Sequence, residues 1–364
     1  MTTRPGNKVT IGAIAAEAGV SSATVSKVLN GRADVSAATR EKVQQIMARR
    51  HYQRRGGRRR GGIVDLVLNE LDSLWSIEII RGAEETLRGA GVSMVLSAVH
   101  GDSEGTTAWL DQLAARRSDG AILVVSDLTP RQRARLTALG VPFVLVDPVG
   151  NVEAGVPTIG ATNWAGAVAA TEHLIALGHR DIVHLAGPRH LLCSRARADG
   201  FRAAMEAAEI PVREDAVTHG AFDDASGQAQ AEALVIAAER GERALPSALF
   251  AASDLQALGA CAALRARGLR VPEDVSVVGF DDLPVSRWCH PALTTVRQPL
   301  QDMAAMAART LLRLVDGEQV DLPRVELATR LVERESTAPY EAAERAGANA
   351  TDGRRPGGDG VEGA

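Results

Sequence analysis

From residue 63 onward, short apolar runs alternate with stretches of helical periodicity, and this alternation limits the fold more than any other feature. The first apolar runs are IVDLVLN (63–69), VSMVLSAV (92–99), GAILVVS (120–126) and VPFVLVDP (141–148). After Pro157 the pattern resumes, with DIVHLAG, SALFAAS and VSVVGFDD as further strands. Continuous apolar strands separated by amphipathic helices are typical of parallel sheets covered on both faces. We therefore predict an α/β body made of two similar lobes.

The segment 8–50 has a different pattern, which predicts three short helices. The first carries an apolar stripe and ends at Gly19, where a turn is permitted. The second, capped by Ser21 or Ser22, turns Val25 and Val28 inward and leaves a polar outward face. Two short helices joined at a glycine, with a polar face on the second, are typical of a helix-turn-helix that enters the major groove of DNA.

Charge is unevenly distributed along the chain. The formal net charge is −4, yet residues 1–61 hold 13 Lys and Arg against three acidic residues. The remaining residues hold 28 basic and 42 acidic side chains. A basic head on an acidic body is typical of a protein that presents one end to a polyanion. An unstructured basic tail is the alternative interpretation of the charge alone.

Cysteine usage and the absence of catalytic motifs exclude several classes of protein. The three cysteines form no CxxC pair, so neither a disulfide framework nor a zinc site is expected. The chain has no GxxxxGK phosphate loop, no GxSxG elbow and no HExxH motif. No apolar run approaches the length of a membrane span. We expect no enzymatic activity, no cofactor, no metal and no membrane association, and we expect a cytoplasmic protein.

The segment VTIGAIAAEAGVSSATVSKVLNGRADVSAATREKV (9–43) closely resembles the DNA-binding head of the lactose-repressor (LacI/GalR) family. The resemblance implies base-reading roles for Ser22, Ala23 and Lys27. It implies phosphate contacts for Thr10, Ser21, Thr24, Asn30 and Tyr52. Lys27 can donate to guanine O6 and N7, whereas the two short side chains offer a hydroxyl and a methyl group.

The same resemblance extends over residues 8 to about 336 and implies the two-lobed fold of periplasmic sugar-binding proteins. In such folds the ligand lies between the lobes, at the carboxyl ends of strands. Residues in those places are Leu74, Trp75, Asn163, Trp164, Arg197, Asp254, Asp281, Trp288 and Gln298. Carboxylates and guanidinium groups suit sugar hydroxyls, and an indole covers the apolar face of a pyranose. A strand-end aspartate is also a common cap, and a lone tryptophan is often core.

The pattern and the resemblance together predict the domain boundaries. Residues 1–52 are the DNA-binding head, 53–62 the linker and 341–364 a disordered tail. The ligand-binding and dimerisation body spans 63–340. Its first lobe is predicted to comprise 63–160 and 299–321, and its second lobe 161–298 and 322–338.

The linker QRRGGRRRGG departs from the family. Family members typically have a Pro-Asn step and an Ala-Arg-x-Leu helix here, whereas this chain has five Arg and four Gly in ten residues. We predict that no hinge helix forms, because glycine pairs oppose one. The arginines Arg54, Arg55, Arg58, Arg59 and Arg60 would instead enter a narrow minor groove. A mere solvated tether is the alternative.

These features predict a sequence-specific transcriptional regulator, in particular a homodimeric repressor whose operator affinity is controlled by a sugar. Such a protein would be associated with the nucleoid while it is bound to its operator. A plain sugar-binding receptor and a sugar-active enzyme are the rival hypotheses. The receptor does not explain the basic head, and the enzyme needs an acid/base pair that the sequence does not disclose.

Overall fold

The structure is a computed structural model that describes residues 11–29, 35–50, 62–101, 103–124, 128–149, 155–320 and 324–340. Its contacts divide the chain into two compact units, Met1–Arg60 and Gly61–Ala364. The predicted linker arginines, the predicted phosphate contacts Thr10, Asn30 and Tyr52, and the predicted tail 341–364 lie outside the described residues.

In the first unit, the described residues form α1 (Ile11–Ala18), α2 (Ser22–Leu29) and α3 (Ala37–Arg49). Gly19 has φ +68°, a conformation that costs glycine nothing, and it turns the chain out of α1. Ser21 caps α2, since its Oγ accepts from the backbone N of Thr24 at 3.1 Å. Ser36 caps α3 in the same way, accepting from the backbone N of Thr39 at 3.3 Å. The three helices pack around one small core of Ile14, Ala15, Ala18, Val25, Val28, Val43 and Ile46.

The second unit begins with alternating strands and helices. These are β1 (Ile63–Leu68), α4 (Leu74–Gly89), β2 (Ser93–Ala98), α5 (Ser103–Arg116), β3 (Gly120–Val124), α6 (Pro130–Ala138), β4 (Phe143–Val146) and β5 (Thr158–Ala161). The alternation continues through α7 (Asn163–Ala176), β6 (Ile182–Ala186), α8 (Leu192–Ala207), a 3-10 turn (Glu214–Ala216), β7 (Val217–His219), α9 (Asp224–Glu239) and β8 (Ala248–Ala251). The remaining elements are α10 (Asp254–Ala266), β9 (Ser276–Asp281), α11 (Val285–Trp288), β10 (Thr294–Arg297), α12 (Leu300–Val315), β11 (Arg324–Leu327) and β12 (Arg330–Val332).

The strands form two six-stranded sheets, one in each lobe. The first has the order β11-β5-β4-β3-β1-β2, and its pairs are parallel. The second has the order β12-β10-β9-β8-β6-β7, in which the β10–β12 pair is antiparallel and the other pairs are parallel. Separate apolar clusters cover the two faces of each sheet. The predicted fold class is confirmed.

The chain passes between the lobes after β5, after β10 and after β11. The prediction assigned 322–338 to the second lobe, whereas β11 pairs with β5 in the first sheet. The last crossing therefore falls between β11 and β12. Hydrogen bonds hold it there, because Thr329 N donates to Thr162 Oγ1 at 2.9 Å and Thr162 N donates to Leu327 O at 3.0 Å.

Helices α7 and α8 approach each other closely at Gly200. A Cβ built at Gly200 would lie 2.4 Å from the carbonyl oxygen of Trp164, so only glycine fits. This contact fixes the first turn of α7 against the helix that carries Arg197. The backbone at Trp164 is therefore held in a fixed position relative to the helix that carries Arg197.

Candidate functional site

A cavity of about 350 Å³, here called the cleft cavity, lies where strands of both sheets end. Its size falls within the usual range for small-molecule sites. It is lined by Leu68, Asn69, Glu70, Ser73, Trp75, Ser76, Val124, Asp147, Leu191, Cys193, Arg197, Ala221, Phe222, Asp223, Ser253, Leu255, Asp281 and Leu283. Most of these residues end or follow a parallel strand, the place where open α/β folds bind ligands.

Arg197 is the central cation of the cleft cavity. It lies on α8 and is 3 % exposed. Its guanidinium carbon lies 3.8 Å from the ring centroid of Phe280 and 5.5 Å from that of Phe222. Its Nε donates to Asn163 Oδ1 at 2.9 Å, and Nη1 donates to the carbonyl of Ala252. Two rings and two acceptors hold the planar group in one orientation.

Asp281 faces Arg197 from the end of β9. The Oδ1 atom of Asp281 lies 3.8 Å from Arg197 Nη1 and accepts from Gln298 Nε2 at 2.5 Å. Burial raises the pKa of Asp281 to about 7, although Arg197 and Gln298 oppose the rise. The backbone φ of Asp281 is +119°, a conformation that side chains other than glycine rarely adopt. Such strain is frequent at ligand-binding positions.

Asp282 anchors this strained turn. Its fully buried carboxylate accepts hydrogen bonds from Arg334 and Arg297, and Arg287 Nη2 lies 3.6 Å away. Burial opposes ionisation, yet the bonds from Arg334 and Arg297 hold the pKa of Asp282 below its usual value. Arg297 ends β10, immediately before the second crossing between the lobes. The arginine cluster therefore connects the Asp281 turn to the hinge, by which we mean the three crossings of the chain between the lobes.

Asp147 and Cys193 both line the cleft cavity, and their side chains are hydrogen-bonded to each other. Burial raises the pKa of Asp147, while Arg197 and a hydrogen bond from the Cys193 thiol oppose the rise. Burial also raises the pKa of Cys193 above its usual value. A thiol with a raised pKa remains protonated and unreactive at neutral pH, so Cys193 serves as a neutral donor here.

The structure brings only some of the predicted ligand residues to the cleft cavity. Trp75, Arg197 and Asp281 line it. Gln298 does not line it, but its side chain donates a hydrogen bond to Asp281. Asn163 and Trp164 line a second, adjoining cavity. Leu74 packs instead against the apolar cluster of the first lobe, because it begins α4 on its buried side. Trp288 lines neither cavity and is 80 % exposed.

Asp254 also differs from the prediction. It is fully buried and does not line the cleft cavity, although its neighbours Ser253 and Leu255 do. Its Oδ2 accepts from the backbone N of Leu283 at 2.7 Å, and its Oδ1 accepts from Thr295. Burial and the nearby Asp281 raise the pKa of Asp254 well above its usual value. Asp254 therefore stabilises the turn after Asp281 through its hydrogen bond to the Leu283 backbone, and its side chain does not line the cleft cavity.

The sequence interpretation missed Asp147, Phe222 and Cys193. Asp147 ends the apolar run VPFVLVDP, so the strand-end rule that selected Asp281 also applies to it. Phe222 follows β7, a strand of only three residues that carries a weak sequence signal. Cys193 lies four residues before Arg197 in α8. Residues four apart lie on the same face of a helix, so this spacing could have predicted that Cys193 is near Arg197 in the cavity.

The first unit presents the predicted recognition surface. Ser22, Ala23 and Lys27 are exposed on α2, on the side opposite the buried Val25 and Val28. Among the predicted phosphate contacts, Ser21 is exposed and Thr24 half-buried, and their hydroxyls lie 2.9 Å apart. Two of the three exposed side chains Ser22, Ala23 and Lys27 are polar, and the major groove of B-DNA is wide enough to admit an α-helix.

The described part of the chain contains neither a candidate membrane span nor a candidate metal site. None of its helices combines the length and the apolar character needed to cross a bilayer. Within the same residues, no group of three or more His, Cys, Asp or Glu side chains could hold a metal ion.

A helix-turn-helix unit joined to a two-lobed body with an interlobe cavity that contains a buried Arg–Asp pair defines the class of ligand-responsive DNA-binding proteins. Residues 10–55 match the family described as bacterial regulatory proteins, lacI family, and residues 171–337 match a periplasmic binding protein-like domain. The chain belongs to the LacI family and is a DNA-binding transcriptional regulator.

Relatives support this membership along nearly the whole chain. The ribose operon repressor of Halalkalibacterium halodurans is 32 % identical over 93 % of this chain and 99 % of its own length. A structure of the regulator CelR with cellobiose matches with a TM-score of 0.70 at 35 % identity, covering 90 % of this chain and 99 % of CelR. The Lac repressor dimer bound to operator and ONPF matches with a TM-score of 0.67 at 30 % identity, covering 91 % of this chain and 100 % of that one.

Proposed function

We propose that this regulator is a homodimeric repressor that leaves its operator when a neutral sugar occupies the cleft cavity. One small head buries too little surface for specific binding, so two heads at a fixed spacing would read a palindromic site. The solved relatives include a regulator bound to cellobiose and a repressor dimer on its operator. As a DNA-bound regulator it would act in the cytoplasm, at the nucleoid, and without enzymatic activity.

The observation that carries the proposal is the pairing of Arg197 with Asp281 beside aromatic rings. A guanidinium donates to ring and hydroxyl oxygens, a carboxylate accepts from two adjacent hydroxyls, and Phe222 and Trp75 offer apolar surface. This combination suits a carbohydrate.

The charge of the cleft cavity favours a neutral sugar over a phosphorylated one. Among the described residues that line it, Glu70, Asp147, Asp223 and Asp281 contribute four carboxyl groups against the single guanidinium of Arg197. A carboxyl group offers a phosphate no positive charge in either protonation state, and the one guanidinium already donates to Asn163 and to the carbonyl of Ala252.

Control of DNA affinity requires only that the sugar and the operator prefer different arrangements of the lobes. Asp282 connects the Asp281 turn to Arg297, the last residue before the second interlobe crossing, and to Arg334, which follows β12. A ligand that moves Asp281 would therefore move the hinge as well.

A mobility-shift titration on DNA from upstream of the gene would test the proposal. We expect a specific complex that a neutral sugar dissolves, after a thermal-shift panel has identified the sugar. A specific complex that a sugar strengthens would identify a co-repressor. Absence of any specific complex would favour a sugar-binding receptor, and conversion of the sugar by the protein would favour an enzyme.

A further inference from the structure

Asn163 occupies the point where the chain first crosses from one lobe to the other. Strand β5 of the first sheet ends at Ala161, and Asn163 begins α7, which packs against the core of the second lobe. The side chain of Asn163 is 8 % exposed, so the two ends of its amide require hydrogen-bond partners within the protein. Those partners belong to different lobes.

Each end of the Asn163 amide binds a group in one lobe. Its Oδ1 accepts a hydrogen bond from Arg197 Nε at 2.9 Å, on α8 of the second lobe. Its Nδ2 donates to the carbonyl oxygen of Ala161 at 3.2 Å, at the end of β5 in the first lobe. The two ends cannot be exchanged, because a guanidinium has only donors and a carbonyl oxygen only accepts. The orientation of the amide is therefore set jointly by the two lobes.

The bond to Arg197 lies within a rigid part of the second lobe. The close approach of Gly200 to the backbone of Trp164 fixes the first turn of α7 against α8. A rotation of the lobes has to take place in the backbone of the crossings. It therefore moves the Ala161 carbonyl relative to Asn163 while α7 and α8 keep their spacing. The amide has to turn with that carbonyl, and its Oδ1 then shifts the guanidinium of Arg197.

The first crossing is also bonded to the last one. Thr329 N donates to Thr162 Oγ1 at 2.9 Å, and Thr329 Oγ1 donates to Thr162 O at 3.1 Å. Thr162 directly precedes Asn163, so a movement at the last crossing is transmitted to the amide. The second cavity, of about 220 Å³, is lined by Ala161, Thr162 and Asn163 and leaves this segment room to move.

We propose that Asn163 is a positioning residue, which couples the arrangement of the lobes to the Arg197 guanidinium and so couples operator binding to ligand binding. The inference rests on the proposed function, because it assumes that a ligand in the cleft cavity controls operator affinity. The family resemblance implied that Asn163 binds the ligand, but Asn163 does not line the cleft cavity. It acts on the ligand through Arg197.

A thermodynamic cycle with the full chain tests the proposal. The probe is the tightest binder among ribose, glucose, maltose and cellobiose, and its dissociation constant is measured with and without saturating operator. The ratio of the two constants is the coupling factor. Asn163→Ala should bring this factor about three- to thirtyfold closer to one. Affinity of the free protein for the probe should fall by no more than about tenfold, because Phe280 and the Ala252 carbonyl still hold Arg197.

Two further variants separate coupling from stability. Asn163→Asp keeps an acceptor for Arg197 Nε and removes the donor to the Ala161 carbonyl. It should therefore retain most of the probe affinity and still lose the coupling. Thr171→Val is the matched control, because the Thr171 hydroxyl is equally buried and donates to Ala167 O at 2.8 Å within α7. It should leave the coupling factor unchanged.

The outcomes distinguish the role of Asn163 from the proposed function. A wild-type coupling factor in Asn163→Ala or Asn163→Asp, or an equal loss of coupling in Thr171→Val, would overturn the role of Asn163 and leave the proposed function intact. A wild type that binds no member of the panel, or whose own coupling factor is one, would overturn the proposed function and this inference with it.

Discussion

Arg197 and Asp281 face each other in the cleft cavity, with Nη1 and Oδ1 3.8 Å apart and both side chains 5 % exposed or less. The guanidinium comes from a helix of the second lobe, and the carboxyl group comes from a strained turn beside the hinge. The two groups attract each other, yet at 3.8 Å they are too far apart for a direct hydrogen bond. A ligand hydroxyl that accepts from Arg197 and donates to Asp281 can therefore bridge the two groups.

Replacing either member of the pair should abolish the sugar response and preserve operator binding, because the DNA-binding head is a separate compact unit. We expect Arg197→Ala and Asp281→Ala each to weaken sugar affinity by about 2 to 3 kcal/mol, or roughly 100-fold. Mobility-shift titration with and without sugar measures both quantities. Arg202→Ala, which affects an exposed pair with Asp199 on the same helix, is the control. Normal sugar-triggered release by either cleft variant would contradict the assignment.

Sugar affinity should increase as the pH rises through neutrality. Burial raises the pKa of Asp281 to about 7, so at pH 6 most of the carboxyl group is protonated. Hydroxyl donors bind the ionised form better, so binding releases about one proton at pH 6 and almost none at pH 8. Linkage predicts a gain of about tenfold in affinity between pH 6 and pH 8. Titration calorimetry in buffers of different ionisation enthalpy measures the proton release. Asp281→Asn should remove both the gain and the proton release, whereas a wild-type affinity that is flat over this range would contradict the role of Asp281.

Lys27→Ala should weaken binding to the operator far more than binding to random DNA. A lysine contact to a base edge carries about 1 to 3 kcal/mol of discrimination, whereas a phosphate contact carries none. The ratio of the two dissociation constants at fixed salt is the observable. Lys42→Ala, an exposed lysine on α3, is the control and should leave that ratio unchanged. Equal losses on both DNAs would place Lys27 among the phosphate-binding residues.

The linker arginines, which lie outside the described residues, remain the subject of a prediction from sequence. Replacing Arg58, Arg59 and Arg60 together by alanine should flatten the salt dependence of DNA binding. The log-log slope should change by up to about 0.9 for each phosphate that the variant no longer neutralises. Binding at several salt concentrations measures it. An unchanged slope would favour a solvated tether, and a sharp central bend in a circular-permutation assay would favour a hinge helix.

Gly200→Ala should destabilise the second unit by about 1 to 3 kcal/mol, since the added methyl group would collide with the backbone of Trp164. Gly89→Ala near the end of α4 is the matched control, because its Cβ would meet nothing within 4 Å. There the free energy of unfolding should stay constant or rise by up to about 1 kcal/mol. Urea denaturation of both variants measures the difference, and equal stabilities would contradict the close approach of α7 and α8.

The helix-turn-helix and the order of strands and helices could be predicted because local patterns determine them. Gly19 ends α1, Ser21 and Ser36 cap the next two helices, and the apolar periodicity indicates which sides face inward. The family resemblance added the positions of Arg197 and Asp281, which lie together in the cleft cavity.

Asp254 and Asp281 show what sequence alone could not determine. Both follow or end a buried strand, and their sequence contexts look equivalent. Asp254 begins α10 and turns inward to the backbone of Leu283, whereas the positive φ of Asp281 turns its carboxyl group toward Arg197. The direction of each side chain depends on contacts with residues some 30 to 80 positions away in sequence.

The same reason explains the second cavity, which adjoins the cleft cavity, and the last crossing between the lobes. Sequence determined the class of fold, the DNA-binding head and the residue types suited to a sugar, because propensity and periodicity act over a few neighbours. Tertiary structure decided that β11 joins the first sheet and that Trp164, Asp147 and Glu326 line one cavity. Those contacts are made between segments that are far apart in sequence. No short stretch of the chain therefore carries the information that predicts them.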